Sequence, residues 1–334
     1  MNTFKNQLAI VYSDLYLNWL LGRGDGSHPT NPIRAKNALT LLMQALGSKA
    51  VIVDPVDEAK EASDMKALLS THDATYIKTV LEGRSGEWDD TKPIMGQTAY
   101  EMFKGTIRAV ELILSGVAKV VFNPQGAKHH AQYAYSKGFC VFNDMAYAAI
   151  ALKEAGLKVL YLDWDIHAGD GVAHMLRGKG VPCISIHNGG IFPYDSLLNS
   201  TEFEYHRLEE LIYNFNLRSG DGDDVFMDAI DRAKEIIDAY GPDVILLAAG
   251  ADGHTGVNRL FTDNNYTAKG FKYAAEMVAD MAIKHSEGRV LIGGAGGYQP
   301  EKETPETWAL VVETIYNEVS AAFGSEESGQ AHAA

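Results

Sequence analysis

"LYLDWDIHAGDG", residues 160–171, runs from an apolar segment directly into four ionisable residues, Asp163, Asp165, His167 and Asp170. The longer run around its start, "LKVLYLDWD" (157–165), is mostly apolar, which is typical of a strand covered on both faces. Ionisable groups at the end of such a strand are costly unless they are paired or bind something. The stretch therefore predicts a buried parallel strand whose carboxyl end carries a functional site.

Six further short apolar runs predict more strands, at residues 7–13, 49–55, 118–124, 182–187, 243–250 and 289–296. Helical patterns lie between many of them, at residues 31–47, 98–116, 143–156 and 224–241. Strands that alternate with helices predict an α/β fold, a doubly wound and mostly parallel sheet flanked by helices. No repeat or linker divides the chain, so we expect a single domain over residues 1–323 and a disordered tail, "GSEESGQAHAA", over residues 324–334.

The formal net charge of -15 argues against nucleic acid as a partner, because phosphate binding needs a basic surface. The same negative field would favour cationic substrates, although many soluble enzymes are acidic simply for solubility. The sequence shows neither a secretory signal nor an apolar run long enough to cross a membrane. Cys140 and Cys183 lie in apolar stretches, where reduced, buried thiols are the usual state. We therefore expect a cytoplasmic protein.

Polar residues follow several of the predicted strands. Asp163, Asp165 and His167 end one strand, His187 ends another, and Asp252 follows a third. The doublet His129–His130 and the glycine-rich "GGAGGY" (293–298) follow two more. Since ligands of open parallel sheets bind beyond the carboxyl ends of the strands, we expect these sequence-distant groups to converge on one crevice.

Asp165 and His167 are the first candidates for a metal site. Residues two apart on a strand face the same side, and Asp252 can supply a third donor from a neighbouring strand end. One imidazole and two carboxylates suit a divalent ion, most simply Zn²⁺. The alternative is a hydrogen-bonded Asp–His pair with no ion, because Asp-x-His alone is a weak pattern.

The doublet His129–His130 is a candidate acid–base pair, with Asp163 and Asp170 as the flanking acids that would orient it. The alternative is a histidine pair on the surface. Tyr298 follows the glycines of "IGGAGGYQP" and can donate to a developing oxyanion, although such a stretch is more often a simple turn.

The ordered set of motifs resembles the histone deacetylase and acetylpolyamine amidohydrolase family, within the arginase–deacetylase fold. The resemblance covers about residues 7–310 and rests on "YSDLYLNWL", "HPTNPIRAKNAL", "THDATYIKTVL", "GAKHHA", "GFCVFND", "YLDWDIHAGDGV", "SIHNGGIFP", "GADG", "GGAGGY" and a tryptophan after them. Each piece is modest, but their collinear order is specific.

The resemblance implies that Asp165, His167 and Asp252 hold a catalytic Zn²⁺ or Fe²⁺. It makes His130 the main general base and acid and His129 an electrostatic partner. Asp163 would support the first histidine and Asp170 the second, while Tyr298 would polarise the amide carbonyl.

The resemblance also implies a substrate tunnel and a second ion. The tunnel would be formed by Gly138, Phe139, Phe192, Leu260 and Gly296, with Asp90 at its rim. For Asp90, a solvated loop acid is an equally good interpretation. A structural K⁺ or Na⁺ would be held by Asp163, Asp165, His167, Ser185 and Ile186, the last through its carbonyl.

Three departures from the family pattern leave the substrate open. Lys128 precedes the histidine doublet in "NPQGAK", where Pro-Pro-Gly is usual. Ala168 stands where a second histidine is common, and Arg259 falls near the expected tunnel wall.

The sequence thus predicts a zinc-dependent amidohydrolase that removes acetyl or other short acyl groups from an amine, such as acetyl-lysine or an acetylpolyamine. The substrate would be a small molecule or a peptide, and homo-oligomers are compatible with the sequence. Two alternatives stay open: a binding protein that keeps the pocket without turnover, and an arginase-like ureohydrolase with two metal ions.

Overall fold

A computed structural model describes residues 7–22, 26–256 and 264–324 of the chain. These residues contain eight strands: β1 (Leu8–Val11), β2 (Ala50–Val53), β3 (Val120–Asn123), β4 (Val159–Asp163), β5 (Cys183–Asn188), β6 (Ile212–Leu217), β7 (Val244–Ala248) and β8 (Val290–Gly293). They also contain nine α-helices: α1 (Ile33–Leu46), α2 (Glu61–Thr71), α3 (Ala74–Leu81), α4 (Pro93–Leu114), α5 (Asp144–Glu154), α6 (Asp170–Leu176), α7 (Asp223–Tyr240), α8 (Ala268–His285) and α9 (Glu303–Gly324).

The eight strands form one sheet in the order β2-β1-β3-β8-β7-β4-β5-β6, and every neighbouring pair is parallel. Alternate residues of a strand contribute to different cores. Leu162 of β4 packs in one apolar cluster, whereas its neighbour Tyr161 packs in the cluster on the other face. Both faces are therefore covered, which explains why the strand sequences are continuously apolar. The predicted doubly wound α/β fold is confirmed.

The edge strand β6 is absent from the sequence prediction. Its sequence, "IYNFNL", alternates apolar residues with Asn214 and Asn216, so it does not form a continuous apolar run. Both asparagines are nevertheless buried. Asn214 donates through Nδ2 to the carbonyl oxygens of Leu197 (3.2 Å) and Tyr205 (2.8 Å), which ties the preceding loop to the sheet. These asparagines hydrogen-bond the loop, and hydrophobic periodicity cannot predict such a role.

The described helices agree with the predicted patterns and extend them. Helix α4 begins at Pro93, five residues before the pattern at 98–116, because proline is favoured in the first turn of a helix. Helix α9 continues through Gly324, and residues 325–334 of the expected tail lie outside the described residues. None of the described helices is both long enough and apolar enough to cross a membrane.

The strand order places four chemically important loops side by side. The segments that follow β3, β8, β7 and β4 carry the histidine doublet, the glycine-rich turn, Asp252 and Asp165 respectively. These four strands are consecutive neighbours in the middle of the sheet. Their carboxyl ends therefore open into one crevice, as expected for a doubly wound sheet.

Candidate active site

The chain leaves β4 at Asp163, so Asp165 and His167 lie in the loop that follows. The sequence had suggested that both residues lie on the strand itself. The loop is shaped by two successive side-chain turns. Asp163 Oδ1 accepts the N–H of Asp165 at 2.9 Å, and Asp165 Oδ1 accepts the N–H of His167 at 3.0 Å. Aspartates form such turns readily because their short carboxylates reach the amide two residues ahead. These turns still bring Asp165 and His167 to a common point.

Asp165, His167 and Asp252 gather their donor atoms within 4.8 Å of one another, and all three residues are buried. His167 Nδ1 lies 2.9 Å from Asp252 Oδ2 and 3.2 Å from Asp165 Oδ1. Backbone groups orient the carboxylates: the N–H of Ile166 donates to Asp252 at 3.0 Å, and that of Gly296 donates to Asp165 at 2.6 Å. The geometry brings together the three residues expected to hold a metal.

The buried negative charges of Asp165 and Asp252 favour a bound cation. Burial and the charge of Asp165 raise the pKa of Asp252 to about 6. Burial works to lower the pKa of His167, but its hydrogen bonds to Asp165 and Asp252 outweigh that effect and raise it to about 10. Two buried carboxylates thus hold a proton on the imidazole between them. A divalent cation supplies the same compensation, and this donor set is one that Zn²⁺ accepts. The residues fit the metal.

Two glycines make room for the carboxylates. A Cβ atom at Gly296 would lie 2.4 Å from Asp165 Oδ2 and 2.5 Å from Asp252 Oδ2. A Cβ atom at Gly250 would lie 2.5 Å from the Cα of Asp165. All three distances are below ordinary van der Waals contact, so the loops can approach this closely only with glycine at the two positions.

The histidine doublet faces the same crevice, and a different carboxylate supports each ring. His129 Nδ1 lies 2.8 Å from Asp163 Oδ2, and His130 Nδ1 lies 2.7 Å from Asp170 Oδ1. His129 Nε2 is 3.8 Å from Asp165 Oδ1. Because each Nδ1 is engaged, the Nε2 atoms are the ones available for chemistry. The structure therefore gives both flanking acids the partners that the sequence suggested.

The two histidines differ in charge. Burial works to lower the pKa of His129, but Asp163 and Asp165 outweigh it and raise that pKa to about 9. Burial, followed by the positive charge of His129, lowers the pKa of His130 to about 4 although Asp170 acts in the opposite direction. At neutral pH the pair thus combines a cationic His129 with a neutral His130.

Two residues that support the acids were not identified from the sequence. The Tyr161 hydroxyl donates to Asp163 Oδ2 at 2.6 Å, and Lys137 Nζ donates to Asp170 Oδ2 at 2.5 Å. Tyr161 lies two residues before Asp163 on the same strand face, a signal that period-2 spacing could have supplied. Lys137 comes from a distant segment, and nothing local marks it as a partner of Asp170.

A buried histidine, His72, supports the loop that carries the doublet. Its Nδ1 lies 3.1 Å from the carbonyl oxygens of both Gln132 and Tyr133, and its Nε2 accepts the N–H of Asn143 at 2.8 Å. The sequence motif "THD" contributed to the family resemblance, but no role for His72 followed from it. On the other side, Asp144 accepts the N–H of Lys128 at 2.7 Å.

Tyr298 is buried beside the cluster, with its ring centroid 6.1 Å from that of His167. Burial and the charges of Asp252 and Asp165 raise the pKa of Tyr298 well above its ordinary value, so the hydroxyl keeps its proton. Arg34 Nη1 donates to the carbonyl of Gly297 at 2.6 Å and holds the glycine-rich turn in place.

A cavity of about 430 Å³ leads to these groups; its lining consists of His130, Gly138, Phe139, His167, Ile191, Phe192, Tyr194 and Tyr298. Phe139 and Phe192, the expected aromatic walls, are both among them. Phe139 has a positive φ of 64°, and its N–H donates to Glu87 Oε2 at 2.7 Å. The expected wall residue Leu260 and the departure Arg259 lie outside the described residues.

Asp90 lies in an exposed loop before α4 at a φ of 60° and is not among the residues that line the 430 Å³ cavity. Its role at the rim stays a prediction. Ala168 is fully buried and packs in the apolar cluster on one face of the sheet.

The residues expected to hold a monovalent cation are close but engaged with one another. Asp163 pairs with Ser185 across β4 and β5, and Ile186 follows within β5. Asp163 already accepts from Asp165, His129 and Tyr161, and Ser185 Oγ lies 2.9 Å from His187 Nδ1. The K⁺ or Na⁺ site stays a prediction.

Comparisons with known proteins give a consistent result. Residues 28–315 match the histone deacetylase domain. The chain is 29% identical over 333 residues to the acetoin utilization protein AcuC of Staphylococcus aureus (strain MSSA476), covering 93% of this chain and 82% of that protein. It is 28% identical over 321 residues to a probable deacetylase of Archaeoglobus fulgidus, covering 90% and 83%. The solved HD domain of HDA15 matches the fold with a TM-score of 0.77 at 22% identity, over 93% of this chain and 88% of that one.

Proposed function

Because the chain belongs to the histone deacetylase family, we propose that it is a zinc-dependent amidohydrolase that removes acetyl or other short acyl groups from an amine. One observation carries the proposal. A three-residue ligand cluster and two histidines with separate carboxylates lie together, and His130, His167 and the buried Tyr298 line one cavity. This combination supports acyl transfer to water at a metal centre.

Asp165, His167 and Asp252 would hold the metal, which we propose to be Zn²⁺, with Fe²⁺ as the alternative. When bound, the ion supplies Lewis-acid polarisation of the acyl carbonyl and lowers the pKa of a water molecule. For His167 to act as a ligand, its ring must give up the proton that Asp165 and Asp252 now share.

His130 would act as the general base and acid. Its neutral ring accepts the proton of the attacking water and then donates it to the leaving amine. Asp170 orients the ring through Nδ1 and compensates the charge that forms on it. His129, which carries a positive charge beside Asp163, would stabilise the negative charge that develops on the reacting acyl group.

Tyr298 would stabilise the oxyanion. Its hydroxyl remains protonated, and it lines the same cavity as His130 and His167. A donor placed at the developing charge before the reaction needs no reorganisation, which is why removal of one such donor usually costs about 100- to 1,000-fold in rate. The support for this role is the position of Tyr298 within the site, together with its retained proton.

The cavity favours a linear acyl-amine whose amine end lies outside. Phe139 and Phe192 provide apolar walls, and the net charge of -15 favours a cationic product amine. Acetylated lysine in a peptide and an acetylated polyamine both meet these conditions. We propose that the reaction takes place in the cytoplasm.

A direct test compares hydrolysis of an acetyl-lysine peptide, acetylputrescine, acetylspermidine and an acidic acyl-amide by the zinc-loaded protein. We expect turnover of at least one cationic substrate and a loss of most activity in Tyr298→Phe. No turnover of any of these substrates with zinc bound at the site would contradict the proposal.

The same assay separates the two alternatives. A binding protein would bind acetylated ligands without releasing acetate. A binuclear ureohydrolase would carry two metal ions per active chain, whereas the described residues gather one group of three ligands. The metal content of the active protein, measured by mass spectrometry, distinguishes one ion from two.

A further inference from the structure

A second, smaller cavity lies next to the substrate cavity, and its lining includes Trp19, Arg34, Lys128, His129, Tyr298 and the proposed metal ligand Asp165. We call it the inner pocket. Both cavities are also lined by His130, Gly138 and Phe139, so the inner pocket continues from the point where the acyl group would react. A group attached to the acyl carbon can therefore extend into it.

Two buried cations line the inner pocket. Arg34 is 3% exposed and Lys128 is 9% exposed. The Arg34 guanidinium donates to the carbonyl of Gly297 and lies 5.1 Å from the ring of Trp308, while its Nε has no hydrogen-bond partner among the described residues. Both of these contacts are neutral, and the carboxylates Asp165 and Asp252 act on the charge without pairing with it.

Lys128 is similarly placed. Its ammonium group donates to Gln125 Oε1 at 3.3 Å and lies 5.9 Å from the ring of Trp19. Neither Lys128 nor Arg34 forms an ion pair with any carboxylate of residues 7–22, 26–256 or 264–324. In a chain with an excess of acidic residues, two buried cations that share one pocket are unusual.

Asp144 acts on Lys128, and Asp165 and Asp252 act on Arg34, but none of them forms an ion pair with it, and a bound metal ion would compensate the last two. Burial of a charge without a directly paired partner is unfavourable, so two such cations in one pocket favour an anion there. Burial, and secondly the charge of Arg34, lowers the pKa of Lys128 to about 8, which still leaves the ammonium form predominant at neutral pH. The pocket volume of about 30 Å³ is enough for roughly two water molecules, and hence for a carboxylate but not for a long chain. A carboxylate also matches the donors, since guanidinium and ammonium groups form their strongest hydrogen bonds with it.

We propose that the inner pocket binds the distal carboxylate of a short dicarboxylic acyl group, so that the chain removes malonyl-type groups in preference to neutral groups of the same size. Lys128 and Arg34 are the residues that determine this specificity. The inference rests on the proposed amidohydrolase function and names its acyl class.

The reaction is hydrolysis of an amide whose acyl group carries a distal carboxylate. The oxygen of water bonds to the acyl carbon and the carbon–nitrogen bond breaks. The amine leaves with a proton from the water, and the product is a free dicarboxylate. No oxidant, reductant or co-reactant is required.

The first test uses one peptide with lysine carrying an acetyl, a malonyl or a malonamyl group, the last being the neutral amide of the same shape. For the wild-type protein we expect kcat/KM for malonyl to exceed that for malonamyl by about tenfold or more, the effect of one charge-assisted hydrogen bond. Lys128→Met should bring the ratio close to one, and Lys128→Arg should restore most of it. Equal rates for malonyl and malonamyl in the wild type overturn the proposal, and that comparison needs no variant.

The second test measures binding without turnover. Zinc-loaded protein is titrated with malonate or acetate in a calorimeter, and Lys128→Met, which keeps the proposed metal ligands, shows how much of the malonate affinity comes from the metal alone. We expect malonate to bind the wild type about tenfold more tightly than Lys128→Met, and more tightly than acetate. Equal affinity for acetate and malonate, with a malonyl-to-malonamyl ratio of one, would instead make the pocket a site for the released product.

Failure of this inference is distinct from failure of the proposed function. Turnover of the acetyl peptide without a preference for malonyl rejects the inner-pocket proposal alone. No turnover of the three peptides, acetylputrescine or acetylspermidine by zinc-loaded protein rejects the amidohydrolase. In that case the malonate titration still decides whether the pocket binds a carboxylate.

Discussion

The imidazole rings of His129 and His130 lie with their centroids 4.0 Å apart, yet they carry different charges because different groups surround them. Asp163 and Asp165 act on His129, whereas His130 has Asp170 on one side and the cationic His129 on the other. Adjacent residues of the same type thus acquire separate tasks from the folded environment.

This difference predicts unequal effects of substitution. His130→Gln should lower kcat by about 1,000-fold, because it removes the group that accepts and returns the proton. His129→Gln should cost less, about 10- to 100-fold, because it removes only electrostatic support. Steady-state rates with an acetyl-lysine peptide provide the measurement. Zinc content is the control for both variants, and equal losses would contradict the division of roles.

Gly296→Ala should weaken metal binding strongly while the protein remains folded. The added Cβ would lie within 2.5 Å of both Asp165 Oδ2 and Asp252 Oδ2, and the carboxylates could avoid it only by leaving their positions. Zinc affinity, measured by titration against a fluorescent chelator, should fall by about 100-fold or more. Gly222→Ala is the matched control, because the nearest atom to its Cβ is at an ordinary 3.5 Å. A Gly296→Ala protein with unchanged zinc affinity would argue against the proposed ligand set.

Lys137→Met should shift the acid limb of the pH–rate profile towards higher pH. Lys137 donates to Asp170, which in turn holds His130, so loss of the positive charge makes it easier to protonate His130. The expected shift is on the order of one pH unit, because the Lys137 side chain is partly exposed and its field is screened. Lys137→Arg keeps the charge and should retain the wild-type profile. A shift towards lower pH in Lys137→Met would be inconsistent with this coupling.

Because His72 is buried as a neutral ring, the folded protein should lose stability in mild acid. Burial lowers its pKa in the folded protein from 6.5 to about 4, although the carbonyl groups of Tyr133 and Gln132 act against this. The neutral ring is therefore favoured by folding. Its contribution is complete above about pH 6.5 and is lost as the pH falls towards about 4, amounting to about 2 kcal/mol between pH 7.5 and pH 5.

Urea unfolding at several pH values measures this contribution. His72→Gln should be less stable than the wild type at pH 7.5, and its stability should decline less steeply towards pH 5. His174→Gln serves as the control, because His174 is exposed at the surface and pairs with Asp195. An identical pH dependence in the wild type and His72→Gln would remove His72 as the cause.

Much of the fold was predictable because burial on both faces leaves a clear pattern. Seven of the eight described strands appear as apolar runs in the sequence, and their alternation with helices indicates a parallel sheet. Strand β6 was not predicted, because Asn214 and Asn216 interrupt its apolar pattern. Those asparagines hydrogen-bond backbone groups of the loop that precedes the strand, and an apolar pattern carries no information about such partners.

The candidate site was predictable to a similar extent. Polar residues at strand ends indicated Asp165, His167 and Asp252, and the structure brings their donor atoms within 4.8 Å. The hydrogen bonds of Tyr161 and Lys137 to the acids were not identified, and neither was the position of Lys128 and Arg34 in one pocket. Lys137 and Asp170, like Lys128 and Arg34, come from segments far apart in the chain, whereas Tyr161 is two residues from Asp163.

The sequence by itself determined the sheet architecture and the kinds of groups at its carboxyl edge, because hydrophobic periodicity and strand ends are local properties of the chain. Only the tertiary structure decided which carboxylate supports which histidine, how their charges differ, and that two cations share one pocket. The physical reason is that pKa values and charge pairing depend on burial and on distances of a few ångströms between remote segments. Those distances are set when the four central strands place their loops side by side.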